Sequence, residues 1–167
     1  MTTVRGTALL AAGAIAPWEA GRVIMSSDVI LLVDDNKDDV TLTLWAFRKS
    51  GISNEIIVAS DGREAVDLLI PGDGGTPLRP AIVLLDINMP RMSGPEALKL
   101  LRADPSTKLL PVIMLTSSVD DRDIIQSYDL GANSYVQKPV ESAEFLQAAK
   151  ALGVYWLGVN KQAQPRD

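Results

Sequence analysis

The sequence predicts an α/β fold: a doubly wound (βα)5 unit, one five-stranded parallel sheet with helices on both faces. Three observations carry this. From residue 28 onward, five short apolar runs alternate with five amphipathic segments, the pattern of strands joined by single crossover helices. The first, third and fourth runs are apolar at every position, as strands covered on both faces must be. The length of 167 residues, 47% of them hydrophobic, suits one ordinary domain with its own core.

The elements follow in order. Residues 29–33 (VILLV) form the first strand and end at Asp34-Asp35. A helix over 38–49 carries Val40, Leu44 and Phe47 at helical spacing and stops at Ser50-Gly51. Residues 55–59 (EIIVA) form the second strand and 63–70 the second helix. A Gly/Pro loop occupies 71–80 (PGDGGTPLRP). Residues 81–85 (AIVLL) form the third strand, ending at Asp86, and 95–102 the third helix, with Pro95 in its first turn. Residues 111–115 (PVIML) form the fourth strand, ending at Thr116, and 120–130 the fourth helix, closed by Gly131. A short fifth strand, 134–136, precedes Lys138-Pro139, and the longest helix runs from 141 to about 158.

Composition narrows the chemistry. The chain has no Cys, which excludes disulfides, zinc–thiolate sites, Fe–S clusters and thiol nucleophiles. It has no His, which excludes a Ser-His-Asp triad, His-ligated metal or haem, and a His phosphocarrier. Carboxylates, hydroxyls and lysine remain, with a hard oxygen-bound cation such as Mg2+. A net charge of −5 argues against strong nonspecific nucleic-acid binding. The first 27 residues stand apart, with only Arg5, Glu19 and Arg22 charged. Residues 8–16 imitate a short signal peptide but are far too short to span a bilayer. The expected reading is a disordered extension, or an upstream start with Met25 as the natural first residue.

In doubly wound folds ligands bind beyond the carboxyl ends of the strands. Those ends carry Asp34-Asp35, Asp86, Thr116 and Lys138. Taken singly, each has a plain reading: a turn or helix cap for Asp34-Asp35, a turn for Asp86, a polar strand end for Thr116, a solvated charge for Lys138. Together they gather three carboxylates, a hydroxyl and an ammonium on one edge. Three clustered carboxylates repel unless a cation compensates, and Mg2+ suits such a group. A cation, an ammonium and short donors are what a phosphoryl group needs.

The chain resembles the response-regulator receiver domains of two-component signalling. The resemblance rests on LLVDDN (31–36), LLDINMPRMSG (84–94), MLTSS (114–118), GANSYVQKP (131–139) and the closing helix. It implies a flavodoxin-like sheet of order 2-1-3-4-5. It implies Asp86 as phosphoacceptor, Mg2+ held by Asp34, Asp35, Asp86 and the backbone carbonyl of Asn88, and Lys138 as the partner of Asp86 and then of the phosphate. Thr116 matches the switch hydroxyl, with Ser117 after it, and Tyr135 the aromatic switch. Pro139 matches a proline commonly preceded by a cis peptide, and Asn88 and Ser118 match positions that tune dephosphorylation. The chain is then no enzyme in the usual sense. It is a phosphoacceptor with Mg2+-dependent self-catalysed phosphotransfer and autodephosphorylation, switching the surface of the fourth helix, fifth strand and fifth helix.

The expected organisation is an extension over 1–27, a receiver over 28–158 and a tail over 159–167. The tail leaves no room for a DNA-binding module. Output is expected through protein binding or phosphate relay, in the cytoplasm, without nucleic acid or membrane. The loop at 71–80 and LGVYWLGVN (152–160) resemble stand-alone receivers that serve phytochrome-type sensor histidine kinases. Tyr155, Trp156 and Leu157 either form an apolar patch for a homodimer or serve as cover, for the core or for the N-terminal segment. Three other readings compete. A haloacid-dehalogenase-type phosphohydrolase needs a carboxylate where Asn88 stands. A flavin module needs a phosphate-cradling loop where Asp34-Asp35 stands. A degenerate receiver scaffold is at odds with the intact Asp34, Asp35, Asp86, Thr116 and Lys138.

Overall fold

A computed structural model of the chain describes the backbone of residues 2–4 and residues 29–163. The signal-like stretch at 8–16, Met25 and the last four residues lie outside the described residues.

The strands are β1 (Thr2–Val4), β2 (Ile30–Val33), β3 (Ile56–Ala59), β4 (Ile82–Leu85), β5 (Val112–Thr116) and β6 (Ser134–Gln137). The helices are α1 (Lys37–Lys49), α2 (Gly62–Leu69), α3 (Gly94–Ala103), α4 (Asp121–Asp129) and α5 (Ser142–Leu152). β2 through β6 are parallel and stand in the order β3-β2-β4-β5-β6. The predicted 2-1-3-4-5 sheet is therefore present. Backbone pairing adds the sixth strand, β1, antiparallel to β3 along the outer edge.

Strand side chains alternate between the two faces. Ile30, Leu32, Ile56, Val58, Ile82 and Leu84 face α1 and α5, where Phe47, Phe145, Ala149 and Leu152 cover them. Leu31, Val33, Ile57, Ala59, Val83 and Leu85 face α2 and α3, where Ala65, Leu69, Ala97, Leu98 and Leu101 cover them. β2 through β5 are buried at every position. That is why their runs carry so little polar punctuation.

Two expectations change at the C-terminal end. The last helix is not uniform: α5 stops at Leu152 and a π-helical segment, Gly153–Val159, continues it. Its wider turn is marked by the Asn160 amide donating to the Tyr155 carbonyl over 2.6 Å. Trp156 and Leu157 turn back onto the α1–α5 core, while Tyr155 stays exposed and meets the Trp156 ring edge-on. The predicted patch is thus divided between the two readings of it. The residues after it do not all hang free, because Gln162 Nε2 donates to the Ala81 carbonyl over 2.8 Å.

Candidate functional site

The turns after β2 and β4 bring the site together. The pairing of β2 runs one residue past its end, with the Asp34 amide donating to the Ala59 carbonyl over 3.1 Å. Asp34 Oδ1 then accepts from the Asn36 amide at 2.9 Å. Asn36 in turn caps α1, accepting from the amides of Asp38 and Asp39. A buried carboxylate, an exposed Asp35 and a helix start are compressed into three residues.

β4 ends the same way. The Asp86 amide donates to the Val33 carbonyl over 3.0 Å, and Asp86 Oδ1 accepts from the Ile87 amide at 2.8 Å. The chain then loops back so that the Gly94 amide meets the Ile87 carbonyl at 2.8 Å. A Cβ on Gly94 would lie 2.1 Å from the Asp86 carbonyl oxygen, so only glycine fits behind Asp86. Ser93 and Glu96 close a capping box that begins α3 at once. Arg91, whose φ is +63°, spans the outside of this loop to the buried Asp61, itself the N-cap of α2. Sequence reasoning missed that tie.

β5 and β6 supply the other groups. Thr116 is buried, and its Oγ1 accepts from the Ser118 amide at 3.3 Å. The Lys138 amide donates to the Thr116 carbonyl over 2.7 Å, which seats Lys138 directly past the end of β6. Tyr135 is half-buried, and its hydroxyl donates to the Ser118 carbonyl over 3.1 Å. Burial pushes that phenol up, against the lowering effect of the same hydrogen bond. Ser118 Oγ donates to Asp123 Oδ2 of α4 over 2.5 Å. Ser117 and Asn88 are exposed. The Lys138–Pro139 peptide is trans, against expectation, and no cis bond occurs among the described residues. Trans is the lower-energy form of an X–Pro bond.

Asp34, Asp35 and Asp86 each offer a carboxylate oxygen, and these lie within 4.8 Å of one another. The buried Lys138 ammonium lies 2.5 Å from Asp34 Oδ2, 3.0 Å from Asp39 Oδ2 and 3.7 Å from Asp86 Oδ2. Burial alone would lower the lysine pKa, but the bond to Asp34 and the charges of Asp34 and Asp86 together raise it. The ammonium therefore stays charged at neutral pH. Burial raises the Asp34 pKa in spite of that ammonium. Among the described residues one ammonium faces four carboxylates, Asp34, Asp35, Asp39 and Asp86, so negative charge prevails there. Three clustered acidic oxygen donors are the donor set a hard divalent ion takes. Sequence reading also missed Asp39, which stands inside the charged first turn of α1.

Comparison with known proteins decides the family. The model of the response regulator receiver domain matches residues 30–150. The chain belongs to the response regulator receiver family.

Similar proteins cover 77–88% of it. The probable methanogenesis regulatory protein FilR2 of Methanothrix harundinacea is 33% identical over 149 residues, 88% of this chain and 96% of FilR2. The response regulator Rcp1 of Synechocystis sp. is 35% identical over 130 residues, 77% of this chain and 88% of Rcp1. The Mn(2+)-bound form of response regulator Rcp1 matches with a TM-score of 0.74 at 33% identity, covering 82% of this chain and 99% of that one. The phosphorylated cyanobacterial phytochrome response regulator RcpA matches with a TM-score of 0.74 at 32% identity, covering 83% and 100%.

Proposed function

We propose that this receiver is a phosphorelay response regulator in which Asp86 accepts a phosphoryl group from a sensor histidine kinase. The observation that carries the reading is the meeting of buried Asp34 and Asp86 around the Lys138 ammonium, with Asp35 beside them and buried Thr116 bonded through its carbonyl to the Lys138 amide. A carboxylate oxygen of Asp86 attacks phosphorus, and the bond from phosphorus to the donor nitrogen breaks. That nitrogen leaves with the electron pair, and an aspartyl phosphate remains. Asp34, Asp35, Asp86 and the Asn88 carbonyl would hold Mg2+, whose charge offsets that of the phosphoryl oxygens. Lys138 and Thr116 offer those oxygens an ammonium and a hydroxyl. Autodephosphorylation needs water at the same phosphorus, from the side of Asn88 and Ser118, which tune its rate.

The switch is local electrostatics acting on a bistable element. Charge arriving at Asp86 draws Thr116, whose hydroxyl is bonded to the Ser118 amide. The Ser118 carbonyl holds Tyr135 and the Ser118 hydroxyl holds Asp123. Movement of Thr116 is thereby coupled to α4 and β6, which with α5 form the face offered to a downstream protein, a phosphotransfer partner or a second copy. Likeness to RcpA, described as a phytochrome response regulator, favours a phytochrome-type kinase. The receiver occupies 28–158, works in the cytoplasm and acts through proteins. No helix among the described residues is long and apolar enough to cross a membrane. The phosphohydrolase reading is disfavoured because Asn88, an amide, stands where its acid would be.

Acetyl phosphate with Mg2+ is expected to add one phosphoryl group, on Asp86, by intact-protein mass spectrometry. Light scattering of the same sample reads the dimer. An adduct that survives Asp86→Ala, or none on the wild type, overturns the assignment.

A further inference from the structure

The Lys138 ammonium has three N–H bonds and three carboxylates around it, and they are not equal. Asp34 and Asp39 lie within hydrogen-bonding distance at 2.5 and 3.0 Å, whereas Asp86 stands at 3.7 Å. Asp39 is outside the acidic trio of Asp34, Asp35 and Asp86. It belongs to the first turn of α1, where its amide donates to Asn36 Oδ1 at 3.1 Å and its carbonyl accepts from Thr43 Oγ1 at 2.8 Å. That anchored backbone sends a carboxylate back over the strand ends to a lysine 99 residues further on.

A phosphoryl group on Asp86 brings three more acceptors toward the same ammonium. Asp34 and Asp39 leave the ammonium one N–H for them, so any second contact displaces a carboxylate. Asp34 is the costly one to release, since its side chain is 1% exposed and would be left buried without a cation. Asp39 is 36% exposed, so water can replace the ammonium. The bond to Asp39 therefore stabilises the unphosphorylated arrangement and opposes the phosphorylated one.

Resting on the reading of Asp86 as phosphoacceptor, we propose that Asp39 is a positioning residue: it retains the Lys138 ammonium before phosphorylation and competes with the phosphoryl group for it afterwards.

Beryllofluoride, a stable mimic of an aspartyl phosphate, reads this without turnover. Its affinity in Mg2+ is measured by fluorine NMR for the wild type, Asp39→Asn, Asp39→Ala and Asp38→Asn. Both Asp39 variants are expected to bind roughly fivefold more tightly, about 1 kcal/mol. Asp38 is exposed and its side chain is not bonded to Lys138, so Asp38→Asn should stay within about twofold of wild type. Equal or weaker binding by the Asp39 variants overturns the competition while leaving the phosphoacceptor intact. An equal gain in Asp38→Asn also overturns it, by showing a general effect of charge. A wild type that binds no beryllofluoride fails the phosphoacceptor reading itself, and the competition with it.

Discussion

Asp120 shows how far a single half-buried residue can be tuned by its neighbours. It caps α4, accepting the Arg122 amide at 2.9 Å and the Arg122 guanidinium at 2.7 Å. The side-chain bond and then the backbone bond from Arg122 hold its carboxyl down to about 2, against an ordinary value of 3.8. Because the folded value is depressed, the cap's contribution is present above pH 3.8 and is lost as pH falls toward 2. A carbon-13 titration of the Asp120 carboxyl should give a midpoint near 2, and Arg122→Ala should bring it back toward 3.8. An unchanged midpoint in that variant would remove Arg122 as the cause. The positions of Asp34, Asp86, Thr116 and Lys138 were legible at this scale because each closes, or stands just beyond, a mostly apolar run. Asp39 was not. It sits beside Asp38 in a helical first turn, where acidic residues are favoured by the helix dipole alone. Nothing in the linear order says that one of the two reaches back over the sheet.

Among the elements, the strands were the easiest to read, since burial on both faces leaves an unbroken apolar run. The ends of α1 and α3 came within a residue of expectation, helped by the stop at Ser50-Gly51 and by Pro95 in the first turn of α3. The π-helical segment was not legible, because apolar spacing does not report a turn widened by one residue. β1 was missed because three residues, two of them threonine, carry no period. The start of α3 makes the sharpest demand on sequence. Gly94→Ala would drive a methyl group into the Asp86 carbonyl, which is backbone and cannot step aside. It should cost about 1–3 kcal/mol, the range of overpacking, and weaken beryllofluoride binding with it. Gly72→Ala, with nothing within 4 Å of the added Cβ, is the control and should be nearly neutral in urea unfolding. Equal stability of the two variants would mean that the loop behind Asp86 yields.

For the whole molecule, the division into two cores explains where chemistry can sit. Every buried strand position of β2 through β5 except Thr116, the last of β5, is committed to the α1–α5 side or the α2–α3 side. Reactive groups are left the last strand position, as at Thr116, or the first places past the strands, at the edge where the sheet order switches. The fold could be read from sequence for the same reason: a two-sided core excludes polar residues so thoroughly that those at its border stand out. What sequence could not give was the partnering across that border. Arg91 with Asp61 and Lys138 with Asp39 join residues 30 and 99 positions apart, and their meeting depends on loop paths.

The amides of Asp34, Asp86 and Lys138 each form one further rung beyond the sheet, to Ala59, Val33 and Thr116. The consequence is kinetic. Groups at a reactive surface inherit the opening free energy of the core rather than that of a loop. Their amide hydrogens should exchange with deuterium as slowly as those of β2 and β4, while the exposed Asn88 exchanges early. Fast exchange at all three would mean that the rungs break independently of the sheet. If they hold, the main chain under the site is a fixed mount, and what remains to move there are the side chains.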